Sequence, residues 1–487
     1  MSALTHRVEP PRDSRQFGRT RVASALRSGC YWSLLALAAW APLPFGSGRP
    51  WSWGLLGAIA GALVMALALS DLAAANPETP SLRPVAVPAT LFALSTAWAI
   101  VQCLPWVPQS WFHPLWNEAA RMLPDRALRP SISIDPAASR TAILRLLTYA
   151  GIFWVSYRCC QLAARARLML AWLSGIGAIY AVWGLVVYWS GNHSVLWFPK
   201  WGYVDDLTST FVNRNAYAAY TGLAVLTMIG LLFDVVVRET DWRQSLRAIA
   251  RSLAELLTVR FVWLLAALLV SGTALLLTHS RGGAAATTGG ILALLGMISL
   301  APSLRAHRRL AVGTTSVIAV GALVLLFISG TATLTRIADT SWDLEDRPQI
   351  YELTLSAISD RPLLGTGLGT FKTVFAAYRT PDLPFLIEFA HNDYLENVLE
   401  LGIPAASLLF GSVLLLLLTC VRGVLRRRRN AIVPCVGVGA TVLVGIHSLV
   451  DFSLQIPAVT AAYLLLLGAA VAQSIQSPER TGRDELT

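Results

Sequence analysis

The sequence predicts an all-α fold, a polytopic bundle of about twelve transmembrane helices with a large loop between the ninth and tenth. Three observations carry that expectation. Of the 487 residues, 55% are hydrophobic and only 14% are charged. Apolar runs near the ~20 residues that cross a bilayer as a helix recur along the whole chain. Arginines gather in alternate connections between those runs, the pattern of loops retained on the cytoplasmic side.

Taken in order, residues 1–29 form a basic tail, flexible by composition. Nine spans occupy 30–329, at 30–46, 51–70, 85–103, 143–160, 168–190, 216–237, 261–278, 284–303 and 310–329. The first is short and interrupted by Pro42 and Pro44. It lacks a small-residue cleavage site and reads as an uncleaved anchor. Residues 330–401 make the large loop, and 402–475 hold the last spans, at 402–420, 431–449 and 458–475. Residues 476–487 are a second tail.

The formal charge of +11 is topological rather than a nucleic-acid footprint. Its clusters run from Arg7 to Arg27, through Arg158/Arg165/Arg167, Arg238 to Arg260 and Arg305/Arg308/Arg309, to Arg426–Arg429. With twelve spans all of them fall on one side, beside anionic lipid, and both termini face the cytoplasm. The six cysteines are scattered, with neither metal spacing nor a disulfide framework.

Polar residues concentrate on the other side. In the large loop, "RPQIYELTLSAISD" sets Ile350, Leu353, Thr354 and Ala357 at helical spacing, which predicts a short helix. "RPLLGTGLGTF" alternates glycines as a phosphate loop does. With no preceding strand or βαβ unit, a tight close-approach turn is expected instead. Helical continuation from His391 through "HNDYLENVLELGIP" would put His391, Tyr394, Leu395 and Val398 on one face. Asp393, Glu396, Asn397 and Glu400 would fill the opposite one.

Arginines stand where spans meet this side. In "HSRGG", Arg281 follows Ser280 and precedes two glycines. Two readings stand: a snorkelling interface arginine, or an anion site completed by the N-terminus of the next helix near Gly282. Arg214 lies between Asn213 and Asn215 in "FVNRNAYAAY", clustering donors at the same depth. Arg347 follows Asp343, Glu345 and Asp346, which offer ion-pair partners. Guanidinium groups suit phosphate oxygens, and a lipid diphosphate presents its anion at this depth. "HSLVDFSLQIPA" adds His447 and Asp451; Asp451 either meets substrate or caps the following turn.

In content and order, "FVNRNAYAAY", "HSRGG", the "RPQIY…DRPLLGTGLGTF" run, "AHNDYLENVLELGIP" and "HSLVDFSLQIPA" are similar to the O-antigen ligase and polymerase superfamily. The likeness spans about 200–460. It implies an inverting glycosyltransferase of the bacterial inner membrane, with its active site periplasmic and no metal or other cofactor. The donor is a glycan on undecaprenyl diphosphate, and the acceptor a saccharide hydroxyl such as that of lipid A-core. The motif arginine maps to Arg281, the arginine opening the first loop helix to Arg347, and the loop histidine to His391. Arg214 sits at a frequently basic position, and Asn213, Asn215, Ser280, Asn392, Asp393 and Asp451 are the other expected substrate-binding residues.

The chemistry of the residues agrees. Leaving diphosphate accumulates charge that Arg281, Arg347 and Arg214 can stabilise, and one preorganised donor is worth ~3–4 kcal/mol. The acceptor hydroxyl must lose a proton, which His391 accepts as general base. An orienting role for His391, with Glu388 or Asp393 as base, stays open, as does a cation held by 343–346 or Asp205–Asp206. Three rivals remain: a polymerase extending lipid-linked repeats, a protein O-oligosaccharyltransferase, and a polysaccharide flippase. A flippase fits poorly, because its polar groups belong at the midplane.

Overall fold

The protein is described here by a computed structural model covering residues 14–74, 82–239, 258–314, 346–381, 383, 386–427 and 431–475. Long helices dominate it, and one two-stranded hairpin pairs Ser194–Val195 with Phe198–Pro199. Helix α1 runs Ser14–Trp40, α2 Pro50–Ala73, α3 Arg83–Gln102, α4 Leu115–Met122, α5 Pro136–Cys159, α6 Ala163–Trp189 and α7 Arg214–Glu239. Then follow α8 Val259–Leu277, α9 Arg281–Leu300, α10 Asp346–Asp360, α11 Phe371–Tyr378, α12 Asp393–Arg426, α13 Ile432–His447 and α14 Pro457–Ile475.

Eight of these helices (α2, α3, α6 to α9, α12 and α14) are long and apolar enough to cross a membrane. The protein is thus a polytopic all-α membrane protein. The other expected spans have individual explanations. The run at 30–46 stops helically at Trp40, before Pro42 and Pro44, and α1 reaches back to Ser14 into the expected tail. The run at 143–160 falls in α5, a 24-residue helix carrying Arg140, Arg145 and Arg158. The run at 431–449 is α13, apolar but 16 residues long. The run at 310–329 lies outside the described residues beyond Thr314, as do both chain ends.

Local sequence sets the helix starts. Asp135 accepts hydrogen bonds from the Ala137 and Ala138 N–H groups, with Pro136 in the first turn. Thr258 caps α8 and Ser280 caps α9. Helices α7 and α14 occupy the bundle centre, whereas α2, α3, α6 and α8 turn Leu72, Leu94, Ile179 and Leu269 outward. Such apolar outer faces require hydrocarbon around them.

The connections gather at two distinct ends. At one, Asp71 pairs with Arg158 at 2.7 Å, and Gln473 donates to the Cys160 carbonyl at 2.8 Å. At the other, Thr210 donates to the Pro42 carbonyl, Leu207 N to Leu277 O, and Arg361 to Phe112 O. The segments 103–135, 190–213, 278–280, 346–381, 386–392 and 448–456 lie at that end.

The glycine run is a tight turn. Gly365, Gly367 and Gly369 take φ of +69°, +106° and +78°, a region open to glycine. A Cβ on Gly365 would collide with the Glu400–Gly402 backbone. The turn's amides bind a carboxylate of the protein itself: Gly369 N donates to Glu400 Oε2 at 2.6 Å and Phe371 N to Oε1 at 2.9 Å. Gly402, at φ +78° and two residues before Pro404, breaks α12 at this contact. The helix predicted through Ile350 is α10, which buries Ile350, Thr354 and Ala357.

Candidate active site

The site is organised by the turn that follows α13. His447 ends that helix, and its carbonyl accepts from the Val450 and Asp451 N–H groups, both at 3.0 Å. Two strong contacts pin the start of α12 to this turn. Asp393 N donates to Ser448 O at 2.9 Å, and the Ser448 hydroxyl donates to Asp393 Oδ2 at 2.7 Å. Asn392 caps α12 through Tyr394 N and Leu395 N while donating to Leu449 O at 3.0 Å.

His391 is therefore not the first helical residue, as its expected face required. It precedes the cap, at φ +53°. The left-handed backbone swings its half-buried ring toward the turn, where Nδ1 lies 3.4 Å from Asp451 Oδ1. Its edge meets Phe452 (centroids 4.9 Å apart), which stacks on Phe389 at 4.2 Å. The Tyr351 hydroxyl of α10 donates to the His391 carbonyl at 2.8 Å. Asp451 is nearly sealed. Burial works to raise its pKa, yet His391, His447 and the Phe452 N–H together hold the carboxyl below its ordinary value.

Arg347, in the first turn of α10, donates from Nη1 to Val450 O at 2.7 Å. From the far side comes α9. A Cβ on Gly282 would stand 2.9 Å from Val450 Cγ2, and one on Gly283 would stand 2.5 Å from the Ala218 Cβ. The two glycines let the Ser-Arg-Gly turn seat against α7 and against the 447–450 turn. Arg281 itself is exposed. The turn at 447–451 is thus approached by Arg347, by the Arg281–Gly282 turn and by His391.

Arg214 stands one step away. Its Nη1 donates to Asp206 Oδ2 at 2.7 Å, and the other oxygen of Asp206 lies 2.8 Å from His279 Nδ1, two residues before Arg281. This chain ties Arg214 to the same turn but offsets part of its charge. Asn213 is spent as the cap of α7, accepting from Asn215 N and Ala216 N, and Asn215 is buried. Ser280 likewise accepts from Gly283 N.

The acidic stripe of α12 faces inward. Glu396 accepts from Ala390 N at 2.8 Å and from Gln455 at 3.1 Å, and Glu400 grips the glycine turn. Asp393 joins α12 to Ser448, and Glu388 pairs with Lys372 at 2.6 Å. Residues 343–345 and the Asp346 side chain lie outside the described residues. Beside the stripe a cavity of about 1360 Å³ opens among α3, α5, α12, α13 and α14. Leu146, Phe153, Phe410 and Leu464 make its walls apolar, and none of the three arginines lines it.

Sequence reasoning noted His447 without giving it a task, and missed the Phe389–Phe452 stack, Tyr351 and the Asp206–His279 link. The aromatic residues carry no spacing signal, and the Asp206 contact joins residues 73 apart in sequence.

No curated protein matches the chain. Residues 266–410 match the family model described as O-Antigen ligase. That stretch contains the Ser280–Gly283 turn, Arg347, the glycine turn and His391, and it excludes Arg214 and Asp451. Members of that family are glycosyltransferase-like enzymes, and the match over residues 266–410 supports a likeness of this stretch to the O-antigen ligase superfamily.

Proposed function

We propose that the protein transfers a glycan from undecaprenyl diphosphate to an acceptor hydroxyl, with inversion and without a metal. We place the reaction at the periplasmic face of the inner membrane, with lipid A-core or a similar saccharide as acceptor. The observation that carries this reading is the convergence of Arg347, the Arg281–Gly282 turn and His391 on the turn at 447–451.

In the reaction, the anomeric C–O bond to diphosphate breaks while the acceptor oxygen attacks from the opposite face. Arg281 and Arg347 meet the charge growing on the leaving diphosphate, and Arg214 supports them through the His279 turn. His391 takes the acceptor's proton. With Nδ1 turned to Asp451, Nε2 is the nitrogen free to act, and Asp451 stabilises the imidazolium that forms. The long Nδ1–Oδ1 distance is expected to shorten once substrate closes the site. The cavity beside α12 offers apolar space for a lipid chain.

The test is transfer by the purified protein in lipid nanodiscs, given an undecaprenyl-diphosphate-linked oligosaccharide and candidate saccharide acceptors. Product of inverted anomeric configuration, formed in the presence of chelator, is expected. Retention of configuration, or loss of transfer to chelator, would overturn the mechanism. Extension of the lipid-linked glycan itself would identify a polymerase.

A further inference from the structure

The His447 ring is almost completely sealed, at 1% exposure, and its two nitrogens are treated differently. Nδ1 lies 2.7 Å from the Ser453 hydroxyl. Nε2 has no hydrogen-bond partner among the described residues. A neutral imidazole carries one donor and one acceptor nitrogen. Either atom of that pair can be the donor; when the Ser453 hydroxyl, which has no other acceptor among the described residues, gives its proton to Nδ1, the ring's own proton sits on Nε2. The result is a buried N–H donor without an acceptor, a rare state that calls for an account.

The Nε2 edge of the ring faces the first turn of α9. A Cβ on Gly282 would stand 3.9 Å from Nε2. The Arg281 and Gly282 N–H groups open that helix and have no carbonyl within it to receive them. Ser280 satisfies Gly283 N but not these two. Unspent backbone donors from a helix start and the unpartnered edge of an imidazole therefore lie side by side, and the missing Cβ of Gly282 lets them approach. An oxygen acceptor satisfies these donors, an anionic one is favoured further by the helix N-terminus, and a cation is disfavoured.

We propose that His447 is a further donor to the lipid diphosphate, delivering Nε2–H to a phosphate oxygen seated on the first turn of α9. The proposal rests on reading Arg281 and Arg347 as the diphosphate cradle. Ser453 engages Nδ1, and Gly282 brings the first turn of α9 up to the Nε2 edge. His447 thus serves the leaving group, whereas His391, on the other side of Asp451, serves the acceptor.

The experiment measures inorganic pyrophosphate binding calorimetrically to the full chain in nanodiscs, with thermal unfolding recorded for each variant. His447→Leu is expected to weaken binding by about tenfold or more, the usual scale for a hydrogen bond to a charged group. His447→Gln, which returns an N–H near the Nε2 position, is expected to recover most of that loss. Wild-type affinity in His447→Leu, or equal defects in the Leu and Gln variants, would overturn the assignment. Arg281→Ala is the control on the cradle. Unchanged binding there overturns the diphosphate reading itself, whereas impaired binding there with a normal His447→Leu overturns only the role of His447.

Discussion

Gly290 of α9 and Gly439 of α13 meet backbone to backbone: a Cβ on either would stand 2.8 Å from the other's carbonyl oxygen. Small residues let membrane helices approach this closely. The contact fixes the Arg281 turn, at the start of α9, against His447, at the end of α13. Gly439→Leu should therefore separate the two halves of the site, costing roughly 1–3 kcal/mol by overpacking and reducing transfer although every polar residue is intact. Thermal unfolding and the transfer assay together would check this.

Arg281→Ala, Arg347→Ala and His391→Ala should each lower transfer by about 10²-fold or more, with the protein still folded in the membrane. Arg281→Lys should also be poor, since the bidentate fork is lost. Wild-type transfer by a correctly inserted His391→Ala protein would remove the base assignment.

Asp451→Asn should impair turnover more than donor binding, because it disturbs the orientation of His391 rather than the cradle. The pairing also sets a pH dependence. The Asp451 carboxyl has a folded pKa below its ordinary value. Its contribution to stability is therefore complete above the unfolded carboxylate pKa, near ~3.9, and is lost as pH falls through the depressed folded value. Thermal unfolding followed through acid pH should show wild type losing more stability than Asp451→Asn.

Glu400 is expected to be structural. Glu400→Ala leaves the Gly369 and Phe371 N–H groups without their acceptor, at about 1–3 kcal/mol each. Glu400→Gln keeps one acceptor oxygen and should cost less. A fully stable Glu400→Ala protein that has lost transfer would move this carboxylate from scaffold to chemistry.

Ser407 and Ala89 line the large cavity from exposed positions on α12 and α3. Ser407→Trp and Ala89→Trp should raise KM for a lipid-linked donor with little change in unfolding temperature. Unaltered kinetics in both would remove the lipid chain from this cavity.

The bundle was legible because membrane helices announce themselves by length and apolarity, and the "RPQIYELTLSAISD" helix because its buried stripe is local. The glycine run, too, was legible as a turn rather than a nucleotide loop. What escaped was tertiary. Periodicity sets the acidic residues of α12 on one face but cannot say that Glu396 and Glu400 turn inward to bind backbone amides. Helical spacing also misplaces His391, because the Asn392 cap starts the helix two residues later. For Asp451 the sequence allows either substrate contact or a cap; its Oδ1 accepts from Phe452 N and also faces His391.

The left-handed backbone at His391 has an energetic corollary. A β-carbon in that region costs on the order of 1–2 kcal/mol, which glycine escapes. Replacing His391 by glycine should therefore yield an inert protein that resists heat as well as, or better than, the native one. Screens for thermal resilience would then enrich dead variants at this position, a sign that selection for activity, not folding, keeps an imidazole there.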